Sequence, residues 1–227
     1  MSSPGASRAE QLPLFPLSSV LTPGMPLALH VFEPRYRQLV ADLLNDQDPR
    51  APEFGVVALR AGWEVGELQD LHQVGTTARV TDVLPLPDGR CDLSAVGERR
   101  FAIEELDAAA RPYLLAKVRW LPELDGDISD GLVASTRRAL GRHRDALLEL
   151  GVDYLESDGE PVAAGPREFS YSVARQPWLP LADRQQLLAC ADTAGRLHAA
   201  RAVLRREAEL VAQLHAVPVS AAAFRTP

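Results

Sequence analysis

The chain has 227 residues, 46% of them apolar and 24% charged, and its 31 acidic against 24 basic side chains give a formal net charge of −7. This is the profile of a folded globular protein with one large or two small domains, and it excludes a disordered chain. Two cysteines, Cys91 and Cys190, exclude a disulfide-stapled scaffold, and no apolar run approaches the ~18 residues needed to cross a bilayer.

Residues 1–11 are small and polar and read as a disordered lead-in without a signal-peptide apolar core, so a reduced, cytoplasmic protein is expected. Residues 12–122 look like β-structure cut by closely spaced prolines and glycines. One helix interrupts it: Pro34 sits in its first turn, and Tyr36, Leu39, Val40, Leu43 and Leu44 form its stripe. Gly62-Trp63-Glu64-Val65-Gly66 reads as a turn, because no helix signature follows to make a phosphate cradle. Thr77–Leu84 leads through the turn Pro87-Asp88-Gly89 into a strand with Cys91, Leu93 and Ala95 on one face and Asp92 and Ser94 on the other. Gly97-Glu98 is expected to turn the chain again before Arg100–Glu104. Tyr113–Trp120 supplies a last strand, with Leu114, Ala116, Val118 and Trp120 sharing a face. Short strands at this spacing point to a closed or nearly closed barrel.

After Pro122 the pattern changes. Residues 123–131 read as an acidic linker, residues 132–215 as a helical bundle and residues 216–227 as a tail. Val133, Thr136, Leu140, His143, Leu147 and Leu150 keep a helical period that Gly151 stops. Asp153–Pro166 is a polar loop, Arg167–Ala174 and Asp183–Ala189 are short helices, and Asp192 caps a long helix through Leu214 with Leu197, Leu204, Val211 and Leu214 inward. The acidic surplus belongs to the first half: residues 1–128 hold 12 basic and 19 acidic side chains.

All but one of the 24 basic residues are arginine, the exception being Lys117. A P-loop ATPase needs a lysine on its phosphates and a Ser–Lys protease needs another as base. A single lysine, in an expected strand, cannot serve both. ATP-driven proteolysis of that type is therefore excluded within this chain.

Leu12-Pro13-Leu14-Phe15-Pro16-Leu17, Val20-Leu21-Thr22-Pro23-Gly24 and Leu29-His30-Val31-Phe32-Glu33-Pro34-Arg35-Tyr36-Arg37 together resemble the opening of the Lon protease N-terminal domain. Phe54-Gly55-Val56-Val57, Val74-Gly75-Thr76, Leu86-Pro87-Asp88-Gly89-Arg90, Gly97-Glu98-Arg99-Arg100-Phe101 and Pro112-Tyr113-Leu114 continue the likeness in order. Gln185-Gln186-Leu187-Leu188 and Arg196-Leu197 extend it, more loosely, into the helical half. The resemblance implies an α+β protein, a PUA-like β-barrel followed by a helical bundle, of the kind with which Lon recognises substrates and assembles. With no GxxxxGK[ST] loop present, a stand-alone protein of that type is expected, with no catalytic residues and no cofactor.

Histidines 30, 72, 143, 198 and 215 form no HExxH, neither cysteine has zinc spacing, and no serine lies in GxSxG. His143 and His198 fall in helical stripes and read as packed or boundary residues. Pro34 and Tyr36 build the helix start, while Glu33, Arg35 and Arg37 either satisfy that turn or line the rim of a peptide groove. Arg99 and Arg100 carry the same two readings. Phe15, Met25, Phe32 and Phe54 are the apolar candidates for the groove floor, and each also fits a core. The function expected is weak binding of exposed or unfolded polypeptide segments, with self-association or a separate protease machine as further partners and no membrane. RNA binding is the alternative, and the acidic first half weighs against it.

Overall fold

The computed structural model describes residues 11–45, 52–60, 71–152 and 165–214. Residues 1–10 of the lead-in, the glycine pair around Trp63, residues 153–164 of the polar loop, His215 and the tail lie outside the described residues, while Gln11 already belongs to a strand. The chain divides between Leu121 and Pro122 into two units. Together they are a mixed α/β fold with a six-stranded sheet and five helices among the described residues.

The first unit contains β1 (Gln11–Leu17), β2 (Pro26–Val31), α1 (Pro34–Asn45), β3 (Glu53–Ala58), β4 (Val74–Pro85), β5 (Cys91–Asp107) and β6 (Leu115–Trp120). The sheet order is β2-β5-β4-β3-β1-β6, and β6 pairs again with β5. β1 and β3 run parallel; the other pairs are antiparallel. The two faces of β1 enter different apolar clusters, because successive side chains of a strand point in opposite directions. Leu12 and Leu14 join Val57, Phe101 and Ala116. Phe15 joins Tyr36, Leu39, Phe54 and Leu93, with its ring stacked 4.0 Å from that of Tyr36.

Helix α1 forms where its stripe predicts, and Tyr36, Leu39 and Val40 are its buried residues. Leu44, expected in that stripe, is 54% exposed. Eight residues at 3.6 per turn carry it about 80° round from Tyr36, past the buried arc. Asp42 on the opposite turn ties α1 to the segment before β6. It accepts from the Tyr113 hydroxyl at 2.7 Å and the Gln38 amide at 2.7 Å, with the Arg111 guanidinium 3.3 Å away.

The turn expected at Gly97 does not exist: β5 runs unbroken for 17 residues. Glycine is there for a different reason. A Cβ on Gly97 would lie 2.3 Å from the Thr22 carbonyl oxygen. The absence of a side chain lets the Thr22–Met25 turn lie against the strand, where the Gly24 N–H donates to the Gly97 carbonyl at 2.7 Å and the Gly97 N–H donates to the Met25 carbonyl at 2.9 Å. A glycine inside a strand marks close backbone approach as readily as a turn.

The second unit contains α2 (Asp130–Glu149), α3 (Pro166–Ala174), α4 (Leu181–Ala189) and α5 (Thr193–Leu214). Ser129 caps α2, its hydroxyl accepting from the Leu132 N–H at 3.2 Å. Asp192 caps α5 as expected, accepting from the Gly195 N–H at 2.7 Å. Leu140, Phe169, Leu187, Leu197 and Leu204 form the core between the helices. Arg196 is fully buried there. Its guanidinium donates to the Leu187 carbonyl and the Ser170 hydroxyl, both at 3.1 Å, and lies 3.9 Å over the Tyr171 ring, joining α3, α4 and α5.

The stretch read as a linker is bonded into this unit. Thr193 and Ala194 donate backbone N–H groups to the carbonyls of Leu124 and Asp125, both at 2.9 Å. The Tyr171 hydroxyl donates to the Glu123 carboxylate at 2.9 Å, and Arg167 meets Asp125 at 2.6 Å. Its acidic residues serve those partners rather than solvation alone.

Replacing Gly97 by alanine forces a Cβ against backbone atoms that cannot swing aside, so Gly97→Ala is expected to cost about 1–3 kcal/mol. A urea titration of the full chain should show a lowered midpoint at unchanged slope. An unaltered midpoint would contradict the close-approach role.

Candidate functional site

The sequence-selected residues gather in part around the end of β2, the first turn of α1 and the tip of the β4–β5 hairpin. The hairpin closes through Leu86 and Arg90: Leu86 N–H to Arg90 carbonyl at 2.9 Å, and Gly89 N–H to Leu86 carbonyl at 3.0 Å. Gly89 has φ +79°, and a Cβ there would meet the Arg37 guanidinium at 2.2 Å. Arg37 from α1 thus lies against the turn.

Phe32, 59% exposed, follows the last residue of β2. Its ring stands 6.3 Å from that of His30 at an interplanar angle of 27°. His30 Nδ1 donates to Asp92 Oδ1 at 2.7 Å, and Arg90 Nη1 donates to His30 Nε2 at 3.3 Å, so the geometry is that of the neutral Nδ1–H tautomer. Arg90 is paired in turn with Asp88. One turn further on, Arg35 binds Glu33 through Nε at 2.9 Å and Nη2 at 2.7 Å, with its guanidinium 4.6 Å over the Tyr36 ring. Burial raises the Tyr36 phenol above its ordinary value, with Arg35 opposing and Glu33 adding.

Phe32, Glu33, Arg35 and Arg37 thus follow one another from the end of β2 into the start of α1, and Met25 packs half-buried against the apolar cluster of Phe15 and Tyr36. The other candidates lie elsewhere. Phe15, Tyr36 and Phe54 are core, and Phe54 is wholly buried. Arg100 is 1% exposed, an interior residue rather than a rim residue. Arg99 packs 3.9 Å over Trp120 and bonds Glu53 at 3.0 Å, joining β5 to β6 and β3. It stands eight residues along β5 from Cys91, about 26 Å of strand from the hairpin end. Alternation cannot reveal such placements, because it gives the side of a strand and not the depth of the cover above it.

His30, Asp92 and Arg90 were not singled out from the sequence. Asp92 was visible on the outer face of its strand, but its neighbour His30 comes from a strand 62 residues away.

Elsewhere, His143 is fully buried, and neither ring nitrogen has a hydrogen-bond partner. Burial, with Arg144 adding to it, pulls its pKa down to about 4. A shallow open depression in the second unit is lined by Asp125, Asp127, Arg167 and Glu168, but the Arg167 guanidinium is already taken by Asp125. Among the described residues no group of three or more His, Cys, Asp or Glu is placed to hold a metal ion, and no helix is long and apolar enough to cross a membrane.

Solved structures that share the fold include two Lon N-terminal domains. The Lon N-terminal domain protein from Xanthomonas campestris superposes with a TM-score of 0.60 at 27% identity, covering 83% of this chain and 95% of its own. The N-terminal domain of Mycobacterium avium complex Lon protease gives 0.59 at 17% identity, covering 86% and 98%. Residues 11–206 match the ATP-dependent protease La (LON) substrate-binding domain, and the chain belongs to that family. Curated relatives include the Lon protease of Parabacteroides distasonis, 27% identical over 89% of this chain, and Lon protease 2 of Sorangium cellulosum, 28% identical over 92%. The chain spans only 24% and 26% of those two proteins.

An unpaired buried imidazole makes stability depend on pH in a stated direction. Folded His143 takes up its proton near pH 4 and unfolded histidine near 6.5, so the unfolded state binds more protons in between. Its contribution is complete above about pH 6.5 and falls by up to about 3 kcal/mol as pH drops towards 4. Urea midpoints measured across that range should fall less steeply for His143→Leu than for the natural chain; parallel curves would contradict this.

Proposed function

We propose that the chain is a non-catalytic recogniser of exposed or unfolded polypeptide segments, acting as an adaptor or holding module. Its membership of a substrate-binding domain family over residues 11–206 carries the reading. The return of β6 to β5 supports viewing the sheet as a PUA-like closed barrel, with the helical unit beside it in sequence. The rim of Phe32, Glu33, Arg35 and Arg37 is the proposed contact region, with Met25 at its floor. Neither cysteine is in a disulfide, which fits a reduced cytoplasmic setting.

Two or three docked side chains contribute a gross ~4–9 kcal/mol, against at least ~4 kcal/mol for lost freedom. That leaves binding no tighter than about micromolar. Self-association, or docking on a separate protease machine, supplies the avidity such a module needs.

The RNA alternative loses support from the arginine partners. Arg79 is paired with Glu98, Arg99 with Glu53, Arg111 with Asp42, Arg167 with Asp125 and Arg206 with Asp183 and Glu207, while Arg137 lies over Phe169. Guanidinium groups held by carboxylates release few counterions on meeting phosphate.

Fluorescence anisotropy of a labelled, reduced and carboxymethylated protein titrated with the full chain should show binding in the range of about 1–500 μM. Phe32→Ser should weaken it with the fold intact, and single-stranded RNA should give no salt-dependent response. No binding of the unfolded probe at the top of that range would contradict the reading.

A further inference from the structure

Resting on that reading, we propose that the free edge of β2 is where a guest polypeptide is taken up, as an added strand with a defined side-chain pattern. β2 ends the sheet and pairs residue by residue with β5, from Pro26↔Val96 to Val31↔Cys91. The Gly97 N–H bond to the Met25 carbonyl fixes the phase. Hydrogen-bonded positions alternate along an antiparallel pair, so Leu27, Leu29 and Val31 direct their peptide groups to β5. Ala28 and His30 direct theirs away from the sheet, and Pro26 offers a carbonyl with no N–H. Two donors and three acceptors thus face outward.

The residue rows across the sheet state what the guest must carry. On the inner face, Val83, Leu93 and Leu29 form one row, and Val80, Ala95 and Leu27 another. Leu93 and Ala95 are each 2% exposed, whereas Leu27 and Leu29 are only half-buried. Both leucines belong to a strand with no neighbour on its far side among the described residues, and a guest strand would extend their rows with apolar side chains. On the outer face the rows are Leu84, Asp92 and His30; Asp82, Ser94 and Ala28; and Arg79, Val96 and Pro26, where the Arg79 charge is already paired with Glu98. Carboxylates stand in the first two, in a half of the chain with an acidic surplus, so basic guest side chains are favoured beside Ala28 and His30. Exposed Phe32, stacked on His30, stands at the end of this outer face. The occupant is an extended segment alternating apolar with basic residues, held by backbone bonds and so tolerant of sequence.

Edge strands are commonly guarded by an inward charge, a bulge or a lysine. β2 has none of these, and its one proline stands at the first position, so Ala28 and His30 keep their backbone N–H groups, with no backbone partner on the far side among the described residues.

The test uses the full chain and a short fluorophore-labelled peptide alternating valine with lysine. Two isomers are compared, one N-methylated on the lysines and one on the valines. In an antiparallel addition the lysine N–H groups face β2, and in a parallel one the valine N–H groups do. One isomer should therefore lose at least about tenfold in affinity while the other binds nearly as the parent does. Equal behaviour of the two isomers would overturn the proposal, since contacts made by side chains alone do not distinguish them. Ala28→Pro removes an outward N–H without touching the β5 pairing; it should keep the melting curve and weaken the peptide by about tenfold.

Binding of the unfolded probe left unaltered by Ala28→Pro would overturn the edge proposal while leaving polypeptide recognition standing. Failure of peptide and unfolded probe alike would overturn both. A concentration-dependent dimer dissolved by Ala28→Pro would assign the edge to a second copy and overturn the guest.

Discussion

One strand organises the first unit. β5 pairs with β4 along both its halves, with β2 along the first and with β6 along the second. On the side away from β4 it takes two partners in succession, and its middle must admit the chain where one gives way to the other. Register shifts against β4 fall in the same stretch, between Thr76 and Ala78 and between Val80 and Asp82. Gly97, where β2 gives way, admits the turn from Thr22 to Met25. β2 is thereby placed at the sheet's end, and α1, which follows it, covers the cluster around Phe15 and Tyr36.

Charge is used in the same economical way. A chain so rich in arginine and acid could carry large fields, yet guanidinium groups are repeatedly closed onto neighbouring carboxylates or rings. Exposed pairs of this kind contribute little stability, about 0–1 kcal/mol each. Their effect here is on availability. Beside the end of β2 the described residues present the exposed Phe32 ring, with Arg35 held by Glu33 and Arg90 by Asp88. In the second unit Arg196 works differently: buried against two acceptors and an aromatic face, it joins three helices, and burying it without them would be costly.

Local signals carried far in the sequence. The helical stripe from Tyr36, the Pro87-Asp88-Gly89 turn and the Asp192 cap each depend on residues a few positions apart, and all three form as expected. Features that depend on distant residues did not show. Gly97 looked like a turn because its close neighbour, Thr22, is far away in sequence. Phe54 and Arg100 kept two readings, core or groove, because nothing local records the layers covering them. Residues 123–131 looked like a linker because Arg167, Tyr171 and Thr193, which bond its first residues, lie tens of residues ahead. The rim was half legible: Phe32 to Arg37 are consecutive, but the His30–Asp92 pair and the open flank of β2 exist only once the strand order is known.

The claim at the centre of this account is that an incoming chain becomes a neighbour of β2. Intermolecular nuclear Overhauser effects between isotope-labelled full chain and an unlabelled bound peptide test it most directly. The account predicts cross-strand contacts from peptide backbone protons to those of Ala28 and His30, with apolar peptide side chains near Leu27 and Leu29. Contacts confined to the helical unit, or made to Phe32 with none to the β2 backbone, would contradict it.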